Sequence, residues 1–184
     1  MEKDTKYYSA NGKRFKLYID EEQIKETVSI LANKINADYE GKQPIIVVVL
    51  RGAMFFAADL MRQLKVDCQL ETISAKSYGN EMVSSGKVQL QMSKLMISDR
   101  DVLIVEDIVD SGQTMEALLK RFADQGARSI EAVSFLSKPS QRIVYPRVKY
   151  IGIEIEPIFV IGYGLDYAEQ GRQLPEIYVL DEEE

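Results

Sequence analysis

Two uninterrupted runs of aliphatic residues constrain the fold of this 184-residue chain more than any other feature. Residues 45–50 read Ile-Ile-Val-Val-Val-Leu, and residues 102–105 read Val-Leu-Ile-Val. Short runs of this kind are typical of strands buried on both faces, as in parallel sheets covered by helices. A third strand is predicted over residues 130–136, and shorter candidates are residues 68–76, 148–155, 158–161 and 177–180.

Helical patterns lie between these strands. Asp20 and Gln23 have capping-box spacing, and the apolar residues after them recur on one helical face. Residues 54–64 also look helical, and a third pattern over residues 114–125 ends at Gly126, a residue suited to the position after a helix. The alternation predicts an α/β fold: a mostly parallel twisted sheet flanked by helices, with ligands bound beyond the carboxyl ends of the strands.

The composition excludes several kinds of chemistry. The chain has no histidine and one cysteine, Cys68, which rules out Ser-His-Asp and Cys-His catalysis, histidine-ligated zinc and a disulfide framework. Acid–base chemistry then falls to carboxylates, lysines, tyrosines or a metal held by oxygen atoms. The 29 acidic and 23 basic residues give a net charge of −6, which argues against non-specific binding of nucleic acid.

Length and hydropathy predict a single domain over residues 1–184, with no internal repeat or linker. The longest apolar run, residues 45–50, is far shorter than the ~20 residues that span a membrane. Residues 1–16 lack the apolar core of a signal peptide. Together with the free cysteine, these features predict a cytoplasmic protein with no membrane partner.

The most informative segment, residues 102–115, joins a buried strand to a helix through an acidic and polar loop. Its polar residues are Glu106, Asp107, Asp110, Ser111, Gly112, Gln113 and Thr114. Backbone N–H groups at a helix N-terminus can hold a phosphate, and a glycine lets the backbone approach it closely. Adjacent carboxylates can hold Mg²⁺ or accept hydrogen bonds from sugar hydroxyls. A lone Glu-Asp pair is more often an acidic strand end, so the inference depends on the whole segment.

This segment resembles the phosphoribosyl-diphosphate (PRPP) binding motif of type I phosphoribosyltransferases. Its Glu-Asp-Ile-Val-Asp-Ser-Gly-Gln-Thr form looks most like the hypoxanthine(-guanine) phosphoribosyltransferase family, and the Gly-Lys-Ser/Thr element of a Walker A loop is absent. Residues 48–52, 135–138 and 159–167 match the same family in the same order. The resemblance covers about residues 10–180 and implies that family's fold, with a small hood formed by the N- and C-terminal segments.

The resemblance also implies which residues hold PRPP. Those expected to contact pyrophosphate are Arg51, Gly52 and Arg172. Those expected to contact the ribose and its 5′-phosphate are Glu106, Asp107, Asp110, Ser111, Gly112, Gln113 and Thr114. The chain departs from the family at two positions where lysine is common, because it has Arg51 and Gln113 there. Arginine keeps the charge with a different donor geometry, whereas glutamine removes it.

Base and metal positions follow from the same resemblance. The residues expected at the purine are Ile108, Lys138, Phe159, Val160 and Asp166, with Lys138 donating to the oxygen at C6 and Phe159 stacking on the ring. Those expected to hold Mg²⁺ are Glu106, Asp107 and Asp166. Ser77 and Tyr78 begin a segment similar to the family's mobile loop, which closes over the active site.

The implied reaction transfers the 5-phosphoribosyl group from PRPP to N9 of hypoxanthine, with guanine as a second base, and releases pyrophosphate. It is a Mg²⁺-dependent step of purine salvage. Asp110 is the expected acid/base at purine N7, a role that a carboxylate can take where histidine is absent. Relatives are usually dimers or tetramers, so a homodimer or homotetramer is expected.

Three alternatives remain open. The substrate could be xanthine and guanine, or another base, although the ammonium of Lys138 can only donate and so favours a 6-oxo over a 6-amino group. A related fold could serve as a non-catalytic nucleotide-sensing regulator, but the sequence has no basic stripe for nucleic acid. Residues 102–107 also resemble the acidic strand end of a two-component receiver, which carries its acidic pair near the start of the chain rather than past the midpoint.

Overall fold

A computed structural model describes residues 6–77, 88–91 and 96–181. The strands in this part are β1 (Tyr7–Ala10), β2 (Lys13–Ile19), β3 (Ile45–Leu50), β4 (Gln69–Ser77), β5 (Val88–Gln91), β6 (Asp101–Val109), β7 (Ser129–Ser137), β8 (Tyr150–Glu154), β9 (Val160–Ile161) and β10 (Ile177–Leu180). The helices are α1 (Glu21–Asp38), α2 (Met54–Gln63) and α3 (Gln113–Asp124), with a 3-10 turn at Pro139–Gln141.

The larger sheet has the strand order β5-β4-β3-β6-β7-β8. Strands β4, β3, β6, β7 and β8 run parallel, and β5 pairs antiparallel with β4. The predicted mostly parallel sheet is therefore confirmed. The two aliphatic runs form adjacent central strands, and every residue of β3 except the last is buried, as an uninterrupted apolar run predicts.

Helices cover both faces of this sheet. Ile46 and Val48 pack in the same core cluster as the buried residues of α1 and α2, whereas Ile45, Val47 and Val49 pack in the cluster that contains those of α3. Among the described residues, no helix is both long enough and apolar enough to cross a membrane.

The predicted capping box begins α1. Asp20 Oδ1 accepts a hydrogen bond from the Gln23 amide at 2.9 Å, and Gln23 Oε1 accepts one from the Asp20 amide at 3.2 Å. These bonds satisfy amides at the helix start that have no partner within the helix.

Strand β6 is longer than the sequence predicts. The expected loop begins at Glu106, but β6 continues to Val109 because β7 is equally long and pairs with it as far as Val109↔Ser137. Glu106 and Asp107 therefore lie on a paired strand, which fixes their backbone.

A second, antiparallel sheet has the order β1-β2-β10-β9 and combines segments from both ends of the chain, as expected for the hood. Strands β1 and β2 are not predicted by the aliphatic runs. The signal that finds them is Asn11-Gly12, since both residues have positive φ (46° and 73°) in the two-residue turn between these strands.

Candidate active site

An open cleft of about 720 Å³ lies at the carboxyl ends of β3 and β6, where the fold class places ligands. The predicted site residues that line it are Arg51, Gly52, Glu106, Asp107, Ile108, Asp110, Ser111, Gly112, Thr114, Asp166 and Arg172. Five further residues complete its lining: Val49, Leu50, Val109 and Met115, which lie in the segments 48–52 and 102–115 that match the family, and Ser74, which was not predicted. Ser74 reaches the cleft through the sheet register, because it pairs with Leu50, the last residue of β3.

Two adjacent carboxylates form the floor of the cleft. Glu106 is only 8% exposed, and its Oε2 is buried with no hydrogen-bond partner. Burial, and then the neighbouring charge of Asp107, raises the pKa of Glu106 well above its ordinary value. Asp107 Oδ1 accepts a hydrogen bond from the Ile108 amide at 2.8 Å, while burial raises the pKa of Asp107. A buried pair of this kind favours a cation at its free oxygens.

Gly52 packs directly against this carboxylate pair. A Cβ built at Gly52 would lie 1.6 Å from Asp107 Oδ2, so no other residue fits unless the carboxylate moves. A Cβ built at Gly164, whose φ is +103°, would in turn lie 2.0 Å from the Gly52 carbonyl oxygen. The peptide bond between Leu50 and Arg51 is cis. The loop after β3 is therefore held between Asp107 and the segment that contains Gly164.

The loop of residues 110–114, called here the phosphate loop, connects β6 to α3. Gly112 has a φ of +85°, and a Cβ there would lie 2.3 Å from the Val144 carbonyl oxygen. The Ser111 carbonyl accepts hydrogen bonds from the Ile143 and Val144 amides at 3.0 and 3.2 Å. The loop backbone is thus fixed by its contacts with residues 143 and 144. The first amides of α3 have no acceptor within the helix. Such an arrangement suits an anion.

Asp110 in this loop is half exposed and is paired with a buried cation. Its Oδ2 lies 3.2 Å from Nζ of Lys138, a residue only 9% exposed. The Lys138 amide also donates to the Val109 carbonyl at 3.0 Å, which ties the end of β7 to the end of β6. Lys138 is not part of the cleft lining, but it contacts Asp110, which is.

Four charged residues joined by ion pairs are called here the arginine cluster: Arg51, Asp166 and Arg172, which line the cleft, and Glu169, which lies beside them. Arg172 Nη2 lies 2.7 Å from Asp166 Oδ1 and 3.4 Å from Glu169 Oε2, and Arg172 Nη1 donates to the Gly164 carbonyl at 2.8 Å. Arg51 Nη2 lies 2.7 Å from Glu169 Oε1. Glu169 was not predicted, and its ion pairs join parts of the chain that are far apart in sequence.

The family model described as the phosphoribosyl transferase domain matches residues 18–168 of this chain. The chain is 40% identical over 166 residues to the hypoxanthine-guanine phosphoribosyltransferase of Bacillus subtilis, covering 90% of this chain and 92% of that protein. This chain belongs to the hypoxanthine-guanine phosphoribosyltransferase family. The family resemblance predicted from the motifs is confirmed.

Structures of this family share the fold. A hypoxanthine-guanine phosphoribosyltransferase from Bacillus anthracis superimposes with a TM-score of 0.84 at 39% identity, covering 90% of this chain and 98% of that chain. A longer relative, the bifunctional protein TilS/HprT of Listeria innocua, is 39% identical over 169 residues, and this chain spans only 26% of its length.

Some residues expected to bind ligand lie outside the cleft lining. Gln113 is the first residue of α3. Phe159 is 47% exposed in the hood, where its ring packs against Phe15 and Tyr167, and Val160 pairs with Val179. Of the expected mobile segment, Ser77 is the last residue of β4, and Tyr78 lies outside the described residues.

The donor set fits a magnesium ion that is shared with a ligand. Within residues 6–77, 88–91 and 96–181, no group of three or more Asp, Glu or Cys side chains could hold a metal by itself. Mg²⁺ commonly takes one or two protein carboxylates and completes its shell with phosphate oxygens and water. The unpartnered Oε2 of Glu106 and the adjacent Asp107 carboxylate supply such a pair. Asp166 has both oxygens engaged, by Arg172 and by the Glu169 amide.

Proposed function

We propose that this chain transfers the 5-phosphoribosyl group of PRPP to N9 of hypoxanthine or guanine and releases pyrophosphate. One observation carries the proposal: residues of the phosphate loop, both residues of the carboxylate pair and both arginines of the arginine cluster line a single cleft. The carboxylate pair lies between the other two, since it continues into the phosphate loop and touches Gly52 beside Arg51. PRPP carries a phosphate, a ribose and a pyrophosphate in that same order.

In this proposal Arg51, Gly52 and Arg172 bind the pyrophosphate. Guanidinium groups make paired, charge-assisted hydrogen bonds to phosphate oxygens, and two arginines converge on this side of the cleft. Gly52 presents its backbone because a side chain is excluded there by Asp107. Stabilising the departing pyrophosphate favours breaking its bond to the ribose.

Glu106 and Asp107 would bind the ribose hydroxyls, directly or through Mg²⁺, and Asp166 would support a second Mg²⁺ while keeping its ion pair with Arg172. When bound, Mg²⁺ supplies charge neutralisation and polarisation of the leaving group. The support for this assignment is the buried, unpartnered oxygen of Glu106, a position that the low dielectric makes costly without a cation. Charge neutralisation by Mg²⁺ would also allow a chain with a net charge of −6 to bind PRPP, which carries several negative charges.

The 5′-phosphate binds in the phosphate loop, held by residues Asp110, Ser111, Gly112, Gln113 and Thr114. The amides of the first turn of α3 and the hydroxyls of Ser111 and Thr114 are the proposed donors, and Gly112 allows the backbone to approach the phosphate closely. The loop has no arginine or lysine of its own, so its affinity comes from hydrogen bonds and the helix N-terminus rather than from a full positive charge.

Asp110 holds or moves the proton at purine N7, and Lys138 donates to the oxygen at C6. The pair lies 3.2 Å apart, so one purine can contact both side chains along a single edge. Lys138 has no acceptor, which favours 6-oxopurines over adenine. Ile108, Phe159, Val160 and Asp166 complete the proposed purine site.

We also propose that residues 1–184 form one domain that is cytoplasmic and assembles as a homodimer or homotetramer. The composition supports the cytoplasmic location, and the family supports the assembly.

One assay tests the proposal. The protein is incubated with PRPP, Mg²⁺ and one of hypoxanthine, guanine, xanthine, adenine or uracil, and nucleoside monophosphate and pyrophosphate are quantified. We expect product from hypoxanthine and guanine, none from uracil or adenine, and loss of product when Mg²⁺ is chelated. Product from xanthine and guanine alone would correct the substrate, and no product from any base would refute the enzyme.

A further inference from the structure

We propose that Glu169 is an internal anion that occupies the pyrophosphate-binding arginines and is displaced when PRPP binds. This inference rests on the proposed function, because it takes Arg51 and Arg172 as the pyrophosphate contacts. Glu169 then sets how tightly the chain holds pyrophosphate, both as part of PRPP and as product.

The two oxygens of the Glu169 carboxylate face different arginines. Oε1 lies 2.7 Å from Arg51 Nη2, and Oε2 lies 3.4 Å from Arg172 Nη2. The side chains of Arg51 and Glu169 are 68% and 62% exposed, so a ligand entering the cleft can reach this pair from solvent. One carboxylate thus occupies the position between two cations that a pyrophosphate oxygen would take.

A strained turn holds Glu169 in this place. Tyr167 and Gln170 exchange two backbone hydrogen bonds at 2.9 and 3.0 Å, and the two residues between them have positive φ, +49° at Ala168 and +66° at Glu169. Turns of this type favour asparagine and glycine, because a Cβ is disfavoured in the left-handed conformation. Glycine at position 169 would relieve that strain, but it would also remove the carboxylate.

Arg172 keeps its position without Glu169. Asp166 Oδ1 lies 2.7 Å from its Nη2, and its Nη1 donates to the Gly164 carbonyl at 2.8 Å. The Glu169 amide, rather than its side chain, donates to Asp166 Oδ2 at 2.8 Å, so the turn is also retained when the carboxylate is neutralised. The Glu169 carboxylate is therefore the competing part of the cluster, and Asp166 is the positioning part.

The energetic balance allows displacement. Exposed ion pairs are weak, whereas a pyrophosphate brings several charges and can bond both guanidinium groups at once. Glu169 consequently lowers the affinity for pyrophosphate without blocking it. Its return to the arginines favours release of the product.

The test is calorimetric titration of inorganic pyrophosphate with Mg²⁺ into the wild type, Glu169→Gln and Glu40→Gln. Glu40 is an exposed glutamate next to the C-terminus of α1 and is not part of the cleft lining, so its variant controls for the loss of one negative charge. We expect Glu169→Gln to lower the Kd for pyrophosphate roughly two- to tenfold at low ionic strength, with the gain shrinking as salt is added. Glu40→Gln should match the wild type.

The Kd values for pyrophosphate distinguish failure of this inference from failure of the proposed function. An unchanged or higher Kd in Glu169→Gln would overturn the inference, because Glu169 would then orient the arginines rather than compete for them. A wild type that binds no pyrophosphate would refute the assignment of the arginines in the proposed function, and the inference with it. Glu169→Asp keeps the charge on a shorter side chain, so its Kd for pyrophosphate should lie between those of the wild type and Glu169→Gln. This variant tests the inference if the glutamine variant does not fold.

Discussion

The phosphate loop and the arginine cluster are both suited to anions, but they are built in opposite ways. The phosphate loop is contiguous in sequence and is positioned by backbone, through the positive φ of Gly112 and the bonds from residues 143 and 144 to Ser111. The arginine cluster joins Arg51 to residues 166–172 and is positioned by side-chain ion pairs. If both regions bind anions as proposed, backbone geometry sets the anion affinity of the phosphate loop, whereas competition between charges sets that of the arginine cluster.

Asp110→Asn addresses the one ionisable side chain of the phosphate loop. If Asp110 holds the proton at purine N7, the amide should lower kcat by roughly 10²–10⁴-fold, the usual contribution of a positioned acid or base. The Kd for PRPP should change little. Steady-state kinetics with saturating hypoxanthine and PRPP measure this effect.

The control for that variant is Glu116→Gln, which removes a charge from an exposed residue in the first turn of α3. It should retain kcat within twofold. If Asp110→Asn had the same kcat as the wild type, Asp110 would not be the acid or base at purine N7.

Gly52→Ala tests the contact that joins the arginine side to the carboxylate pair. Because its Cβ would lie 1.6 Å from Asp107 Oδ2, the carboxylate has to move by more than an ångström. Displacements of this size cost on the order of 10²-fold in rate. We expect kcat/KM for PRPP to fall by about that factor, together with a higher Mg²⁺ requirement in a magnesium titration. Activity within threefold of the wild type would show that Asp107 does not need this position.

Asp101→Asn probes the amino end of β6, at the opposite end of the strand from the cleft, where we expect an effect on stability alone. Asp101 is 4% exposed and accepts hydrogen bonds from the Arg128 guanidinium and from Ser129 Oγ at 2.6 Å. The bond from Arg128 holds the pKa of Asp101 below its ordinary value. Its contribution is therefore present above the unfolded pKa of about 3.9 and is lost as pH falls toward the folded value.

Urea unfolding measures this contribution. At pH 7 the Asp101→Asn variant should lose about 1–3 kcal/mol of unfolding free energy, and its stability should depend less on pH on the acid side. The exposed neighbour Asp99, which has a φ of +55°, provides the matched control, because asparagine tolerates that conformation and Asp99→Asn should be nearly neutral. Equal stability of the two variants at pH 7 would contradict the burial argument.

Much of the fold and the contiguous part of the site could be predicted from sequence. Residues 45–50 gave a buried central strand because every position is aliphatic, and Asp20 with Gln23 marked a helix start that the structure contains. The phosphate loop was predicted as a unit because its chemistry is local. The family resemblance supplied the hood and the order of the motifs, which periodicity alone does not give.

The features that could not be predicted from sequence depend on tertiary contacts. Strand β6 extends past its apolar run because β7 pairs with it, which a polar Glu106-Asp107 sequence does not suggest. Glu169 was missed because its role arises from a turn with two positive φ values and from arginines elsewhere in the fold. Without a structure, Ala168-Glu169 looks like an ordinary exposed dipeptide.

The most direct test of the account is the Kd for PRPP with Mg²⁺ in Arg51→Gln, Gly112→Ala and the double variant. Each single change should raise the Kd about tenfold or more, and the two effects should add in free energy because the residues hold opposite ends of one ligand. Gly126→Ala, with a similar φ of +77° but its nearest contact at 3.6 Å, should leave the Kd unchanged. An unchanged Kd in either single variant would contradict the claim that the phosphate loop and the arginine cluster bind the same molecule.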